Sequence, residues 1–236
     1  MEDFRDPQTA REWSEDTTTY NPTRVEQLDI ILSIVTDEYK AGDLILDVGM
    51  GSGLVEEQLF RRIPDAEVVG LDVSEAMLQL AHERLAAYKE HYRVVVQDLM
   101  QVEEWQLPTG EYGVCISVQT IHNVADRYKV AAFRNIYRAL KPGGLFLLLD
   151  RIALDKPELF SVYMSLWKRL DSEYGARTRE GNTFDEHTTV VSTRGDLPAT
   201  LEQHLHWLHE IGFEVACVHL HANRALFSAR KGEVGE

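Results

Sequence analysis

Apolar positions along this chain follow two alternating rhythms. Val25, Leu28, Ile31, Leu32 and Val35 recur at helical spacing and predict a helix from Thr23 to about Tyr39. Leu44–Val48 is a short, nearly continuous apolar run, the pattern of a strand buried on both faces. Leu54–Arg62 reads as the helix that follows, and Val68–Leu71 as a second strand. Ser74 is an N-cap for a helix to about Lys89, with Met77, Leu78, Leu80, Ala81 and Leu85 facing inward. Arg93–Val96 is a further apolar run, Tyr112–Val118 reads as the fourth strand and Ala125–Leu140 as the helix behind it. Gly143 and Gly144 end that helix and open a fifth strand, Leu145–Leu149. Alternation of this kind with short links predicts an α/β fold, a parallel sheet covered on both faces.

The flanks are less regular. Residues 1–22 are polar and acidic, with Trp13, Tyr20 and the turn signal Asn21–Pro22, and read as an N-terminal arm; 23–236 reads as a single domain. After the fifth strand come a long helix (about Lys156 to Tyr174) and a polar loop (Gly175 to Asp196). Thr200 and Gln203 form a capping-box pattern for a helix that ends at Gly212. Phe213–Leu220 and Ala225–Arg230 read as two strands, and Lys231–Glu236 as a solvated tail.

The chemistry concentrates where the first strand breaks into Gly49, Gly51 and Gly53. Glycines at a strand-to-helix corner let the chain turn tightly and let a ligand approach the main chain without meeting a Cβ. The following helix then directs free N–H groups at that ligand. The second strand ends in Asp72, where a βαβ unit places a carboxylate within reach of a ribose. A dinucleotide fingerprint needs its third glycine three residues after the second; here Leu54 holds that position and the glycine comes one residue earlier.

The string Leu46–Gly53 instead resembles the first motif of the class I S-adenosylmethionine-dependent methyltransferases. Asp72, Val73 and Ser74 with Met77 resemble that family's second motif. Gln97, Asp98 and Leu99 look like its acidic contact near the adenine, and Leu140–Gly144 like the stretch before its fifth strand. The resemblance implies a Rossmann-like, doubly wound, mostly parallel sheet of seven strands, with an antiparallel last strand inserted between the fifth and sixth. It implies S-adenosyl-L-methionine as cofactor, held by Asp47, Gly49, Gly51, Gly53, Asp72, Val73, Met77, Asp98, Leu99 and Val118. Tyr20 and Arg24, in the segment leading to the first helix, are expected near the methionine end.

The cofactor's sulfonium makes its methyl group electrophilic, so the protein's task is to align an acceptor and exclude water. A general base is needed only for an acceptor that attacks while still protonated. His122, just past the fourth strand, is the candidate base. Asp150 and Arg151 end the fifth strand and point to the same pocket or fix the strand end as an ion pair. Residues 151–196 are the expected helical lid over a small-molecule acceptor, with Tyr163, Trp167 and Tyr174 as stacking or packing aromatics. Arg177, Arg179 and Arg194 are loop charges able to hold an anionic acceptor. The alternatives are an enzyme like carboxy-S-adenosylmethionine synthase, a nicotinamide-dependent oxidoreductase, or a non-catalytic cofactor-binding module.

Charge narrows the acceptor. The formal net charge is −15, from 24 Lys+Arg against 39 Asp+Glu, and no long basic stripe interrupts the acids. Nucleic-acid binding draws on neutralised phosphates, so such a substrate is disfavoured. No run approaches the roughly 18 apolar residues of a membrane span, and the charged N-terminus lacks the apolar core of a secretory signal. Cys115 and Cys217 both fall in strand-like runs and read as buried thiols of a reducing cytoplasm. His206 and His209, or His219 and His221, have ligand-like spacing but no accompanying Cys–His signature, and no metal site is expected. An exposed sheet edge and the arm leave a homodimer open.

Overall fold

The computed structural model describes residues 6–15, 21–175 and 178–233. Its centre is a seven-stranded sheet in the order β3-β2-β1-β4-β5-β7-β6. The strands are β1 (Leu44–Val48), β2 (Glu67–Asp72), β3 (Tyr92–Val96), β4 (Tyr112–Val118), β5 (Leu140–Arg151), β6 (Phe213–His221) and β7 (Arg224–Lys231). β1 to β5 are parallel, while β7 runs antiparallel to both β5 and β6. Strand order reverses between β1 and β4, which opens a crevice at their carboxyl ends.

Helices cover both faces because the central strands are apolar on both sides. On one face α2 (Arg24–Glu38), α3 (Leu54–Arg62) and α4 (Glu75–Arg84) bury Leu28, Ile31, Leu59, Phe60 and Ala81 against Ile45, Val114, Ile116 and Leu147. On the other, α5 (Asp126–Ala139) and α8 (Leu201–Ile211) bury Phe133, Ile136 and Leu208 against Leu46, Cys115, Phe146 and Phe227. A smaller cluster joins Phe160, Trp167 and Leu170 of α6 (Phe160–Tyr174) to Leu154 and Ala222. Among the described residues no helix is long and apolar enough to cross a membrane.

Several elements depart from the sequence reading. The supposed loop 175–196 contains α7 (Phe184–Arg194), capped by Thr183 accepting from Glu186 N and stopped by Gly195 at φ +80°. β5 begins at Leu140, so α5 ends before the glycine pair rather than at it. α4 stops at Arg84, followed by a short 3-10 turn over Ala86–Tyr88. Cys217 is only half-buried because β6 is an edge strand. The N-terminal segment holds α1 (Pro7–Glu15), which packs against α4.

Candidate active site

The corner after β1 takes left-handed backbone at Gly49 (φ +87°), Gly51 (+57°) and Gly53 (+73°). Gly49 N–H and Met50 N–H both donate to Leu71 O, at 2.8 and 3.0 Å, tying the corner to the end of β2. A Cβ on Gly49 would lie 2.2 Å from the Thr120 side chain, and one on Gly53 would lie 3.0 Å from Leu85. A Cβ on Gly51 would meet only Gly49 O, at 4.0 Å. Gly51 is therefore where the main chain lies open to a ligand.

Asp72 closes this opening from the side. Its Oδ2 accepts from Gly51 N–H and its Oδ1 from Ser74 N–H, each at 2.8 Å. Burial raises its pKa, opposed by those backbone hydrogen bonds. Asp47 on β1 and Glu56 on α3 are both buried, and burial is the main force raising the pKa of each. As two carboxylates they would have no donors: Asp47 Oδ1 and both Glu56 carboxyl oxygens lack partners. The charge of Glu56 pushes the Asp47 pKa up further. Acceptors left unmet beside the glycine corner suit a ligand that carries an ammonium group.

Around this corner, Asp98 caps a short turn by accepting from Met100 N–H at 2.8 Å, and its carbonyl accepts from the Trp105 indole at 3.2 Å. Leu99 is half-buried, Met77 and Val118 are buried, and Val73 is largely exposed. The helix α1 docks directly on the corner. Ser14 Oγ donates to Ser52 Oγ at 3.0 Å, and Arg84 donates to both hydroxyls and to Ser52 O. Arg24 is buried, with its guanidinium 5.2 Å from the Trp13 ring centroid and its Nε unpartnered; burial pulls its pKa down to about 10. Tyr20 lies outside the described residues.

The carboxyl ends of β4 and β5 supply the second half of the site. Gln119 adopts φ +56°, a costly conformation for a residue with a side chain, and its buried Nε2 has no partner. His122 Nδ1 donates to Asp150 Oδ1 at 2.5 Å, with Asp150 fully buried. That bond fixes the imidazole and leaves the lone pair on Nε2. The His122 carbonyl accepts from Leu197 N–H at 2.7 Å. Buried Lys129 reinforces the link, donating to Val124 O and Leu197 O, each at 2.5 Å.

Residues 45–144 match the family described as a methyltransferase domain. An uncharacterized methyltransferase, YdaC of Bacillus subtilis, is 41% identical over 103 residues, 44% of this chain and 53% of the relative. A ubiquinone biosynthesis O-methyltransferase of Nitrosococcus oceani is 28% identical over 83% of this chain and 71% of its own length. The solved structure of an O-methyltransferase family protein from Burkholderia thailandensis superimposes with a TM-score of 0.71 at 14% identity, covering 98% of this chain and 62% of that one. Residues 45–144 are thus a methyltransferase domain, on the fold of the class I S-adenosylmethionine-dependent methyltransferases. The chain spans about half the length of the first of these relatives.

Asp150 and Arg151 do not pair with each other, because neighbouring strand residues point to opposite faces. Asp150 meets His122, while Arg151 meets Glu180 and Asp196. Trp167 is a buried packing residue, Tyr163 lies half-buried beside it and Tyr174 is exposed. Arg194 binds Glu180, Arg179 is exposed, and Arg177 lies outside the described residues. His204 stacks on Phe227, and His206 and His209 are exposed. Among the described residues no group of three or more His, Cys, Asp or Glu is placed to hold a metal ion. Sequence reasoning missed Glu56, Gln119, Lys129 and Arg224. Of these, Gln119 alone carried a local signal, as the residue immediately after a buried strand.

Proposed function

We propose that the chain transfers the methyl group of S-adenosyl-L-methionine to an oxygen, nitrogen or carbon nucleophile of a small-molecule acceptor. The observation that carries this reading is the open main chain at Gly51, bridged to Asp72. When bound, the cofactor supplies a methyl carbon made electrophilic by a sulfonium. Asp72 holds the ribose hydroxyls, Asp98 and Leu99 flank the adenine, and Val73 and Met77 line the wall between them. Asp47, with Glu56, takes the ammonium group. Gly49 and Gly53 shape the turn, Val118 forms the floor, and Arg24 and Tyr20 close over the methionine end.

Across the crevice, His122 Nε2 takes the proton of a hydroxyl, amine or activated carbon, and Asp150 holds the ring in the tautomer that can do so. The rest of the barrier is lowered by alignment, with the acceptor's lone pair held in line behind the methyl carbon. Residues 1–22 act as an arm and 151–196 as the cover of one domain spanning 23–236. The net charge of −15 and the O-methyltransferase likeness support a small acceptor over a nucleic acid. Free thiols at Cys115 and Cys217 suit a cytoplasmic setting. A homodimer would form through the arm or the open edge of β6.

The test is calorimetric titration with S-adenosylmethionine, S-adenosylhomocysteine and NADH side by side. Micromolar uptake of the two sulfur nucleotides alone is the expected result. Asp72→Ala should then weaken them by about 1.5–3 kcal/mol, the range for hydrogen bonds to a charged group. Uptake of NADH alone would overturn the reading.

A further inference from the structure

The ladder between β5 and β7 sets two arginines face to face. Arg151 at the end of β5 pairs in register with Arg224 at the start of β7. Both side chains leave the same face of the sheet, an arrangement in which like charges repel. Both are also buried. Arg151 is compensated: its Nη1 lies 3.0 Å from Glu180 Oε1 and 2.8 Å from Asp196 Oδ2. Glu180 is further shared with Arg194, and its Oε2 lies 3.8 Å from His187 Nδ1.

Arg224 has no such direct ion pair. Its Nη1 donates only to Asn223, to Oδ1 at 2.8 Å and to O at 3.4 Å. No carboxylate lies in ion-pair range of it among the described residues, and its Nε has no partner. Burial and the neighbouring Arg151, opposed at longer range by Glu180, Asp150 and Asp196, draw its pKa down to about 9, which still leaves it cationic at neutral pH. Arg151 Nε is orphaned in the same way. Glu180 and Asp196 thus meet Arg151 directly and act on Arg224 only at longer range. Asp150, one residue earlier on β5, is bonded to His122 and faces the other way.

A buried guanidinium with no counter-ion in contact is unfavourable on its own. Its place is telling: the start of β7, in register with Arg151, which directly follows the residue that orients His122. A planar fork of this kind matches the two oxygens of a carboxylate or phosphate.

We propose that Arg224, backed by Arg151, is an anion subsite that recognises a carboxylate or phosphoryl group on the acceptor. The proposal rests on the methyl-transfer reading for calling that anion an acceptor. It identifies the buried strand-end pair, rather than the exposed loop arginines, as the determinant of acceptor charge. Glu180 and Asp196 saturate Arg151 and hold the α6–α7 cover against it, so the unmet demand falls on Arg224.

The test is calorimetric titration of sodium benzoate and of inorganic phosphate, at matched ionic strength, into the protein with and without S-adenosylhomocysteine. Wild-type protein should take up at least one anion saturably, and Arg224→Met should weaken that uptake about tenfold or more. Uptake of benzoate alone marks a carboxylate acceptor, phosphate alone a phosphoryl acceptor, and both a general anion site. Absence of saturable uptake of either, while S-adenosylhomocysteine still binds, overturns the subsite. So does uptake by Arg224→Met equal to wild type. If Arg224→Met fails to fold, Arg224→Lys decides: it keeps the charge and loses the fork. Several-fold weaker uptake with a native melting curve supports the site, and unchanged affinity sinks it. Failure of S-adenosylhomocysteine to bind removes the methyl-transfer reading instead, and leaves the anion titration to be judged separately.

Discussion

Asp150 Oδ1 accepts from His122 Nδ1 at 2.5 Å, a buried bond that ties the turn after β4 to the end of β5. A carboxylate in that position selects the tautomer whose Nε2 can accept a proton. Asp150→Asn keeps the shape but offers an amide, which no longer enforces that tautomer. Once an acceptor is known, His122→Ala and Asp150→Asn should each lower kcat by about 10²–10⁴, the usual range for a general base. S-adenosylhomocysteine affinity should be unchanged in both. Full turnover by His122→Ala would mean that alignment alone suffices and that His122 only packs.

Gly49 and Gly51 separate the fold from the ligand. Alanine at either position adopts a left-handed backbone at a cost of about 1–2 kcal/mol. At Gly49 the new methyl also strikes Thr120, so Gly49→Ala should lower the melting temperature markedly. At Gly51 the methyl enters open space. Gly51→Ala should fold with a modest loss of stability and bind S-adenosylhomocysteine far more weakly. Thermal melts and calorimetry on the two variants check the contrast, and equal binding loss at equal stability would refute it.

The Asp47–Glu56 pair makes stability depend on pH. Burial raises both pKa values above their ordinary range, so the folded state holds protons that the unfolded chain releases. Stability is therefore greatest at low pH relative to this pair, and declines as pH rises through the raised folded values. Glu56→Gln removes one charge and gives Asp47 a neutral donor. Its melting temperature should exceed wild type in mildly alkaline buffer, and the gap should close on acidification. A gap constant with pH would show that protonation of this pair is not linked to folding.

Much of the scaffold was legible because its signals are local. β1, α3 and β4 occupy the residues that their buried apolar runs and glycine punctuation predicted. α7 was missed because Thr188, Thr189, Val190 and Val191 are weak helix formers, although its cap residues Thr183, Glu186 and Gly195 stood in the sequence. Half of the site was legible for the same reason: Gly51 and Asp72 are punctuation at strand ends. Glu56 and Arg224 were not, since each looks like an ordinary charge until folding buries it. Glu56 becomes unusual only across from Asp47, and Arg224 only in register with Arg151.

Gln119 holds a left-handed backbone at the end of β4, with its N–H donated to Leu149 O at 2.8 Å and its side-chain amide unsatisfied. Such strain, of order 1–3 kcal/mol, persists where the surrounding structure over-determines it. Here the neighbouring ladder fixes the backbone and leaves the amide buried and unpartnered at the end of β4, beside the candidate site. Gln119→Gly relieves the backbone and deletes the amide together. The variant should melt a few degrees higher, as about 1 kcal/mol implies for a chain of this size. Its kcat/KM should fall, because the group that the strain positions is gone. Gln119→Asn keeps an amide in a residue that tolerates the left-handed region better. It should recover part of the stability gain and part of the activity. If Gln119→Gly is both more stable and fully active, the strained turn serves the fold alone.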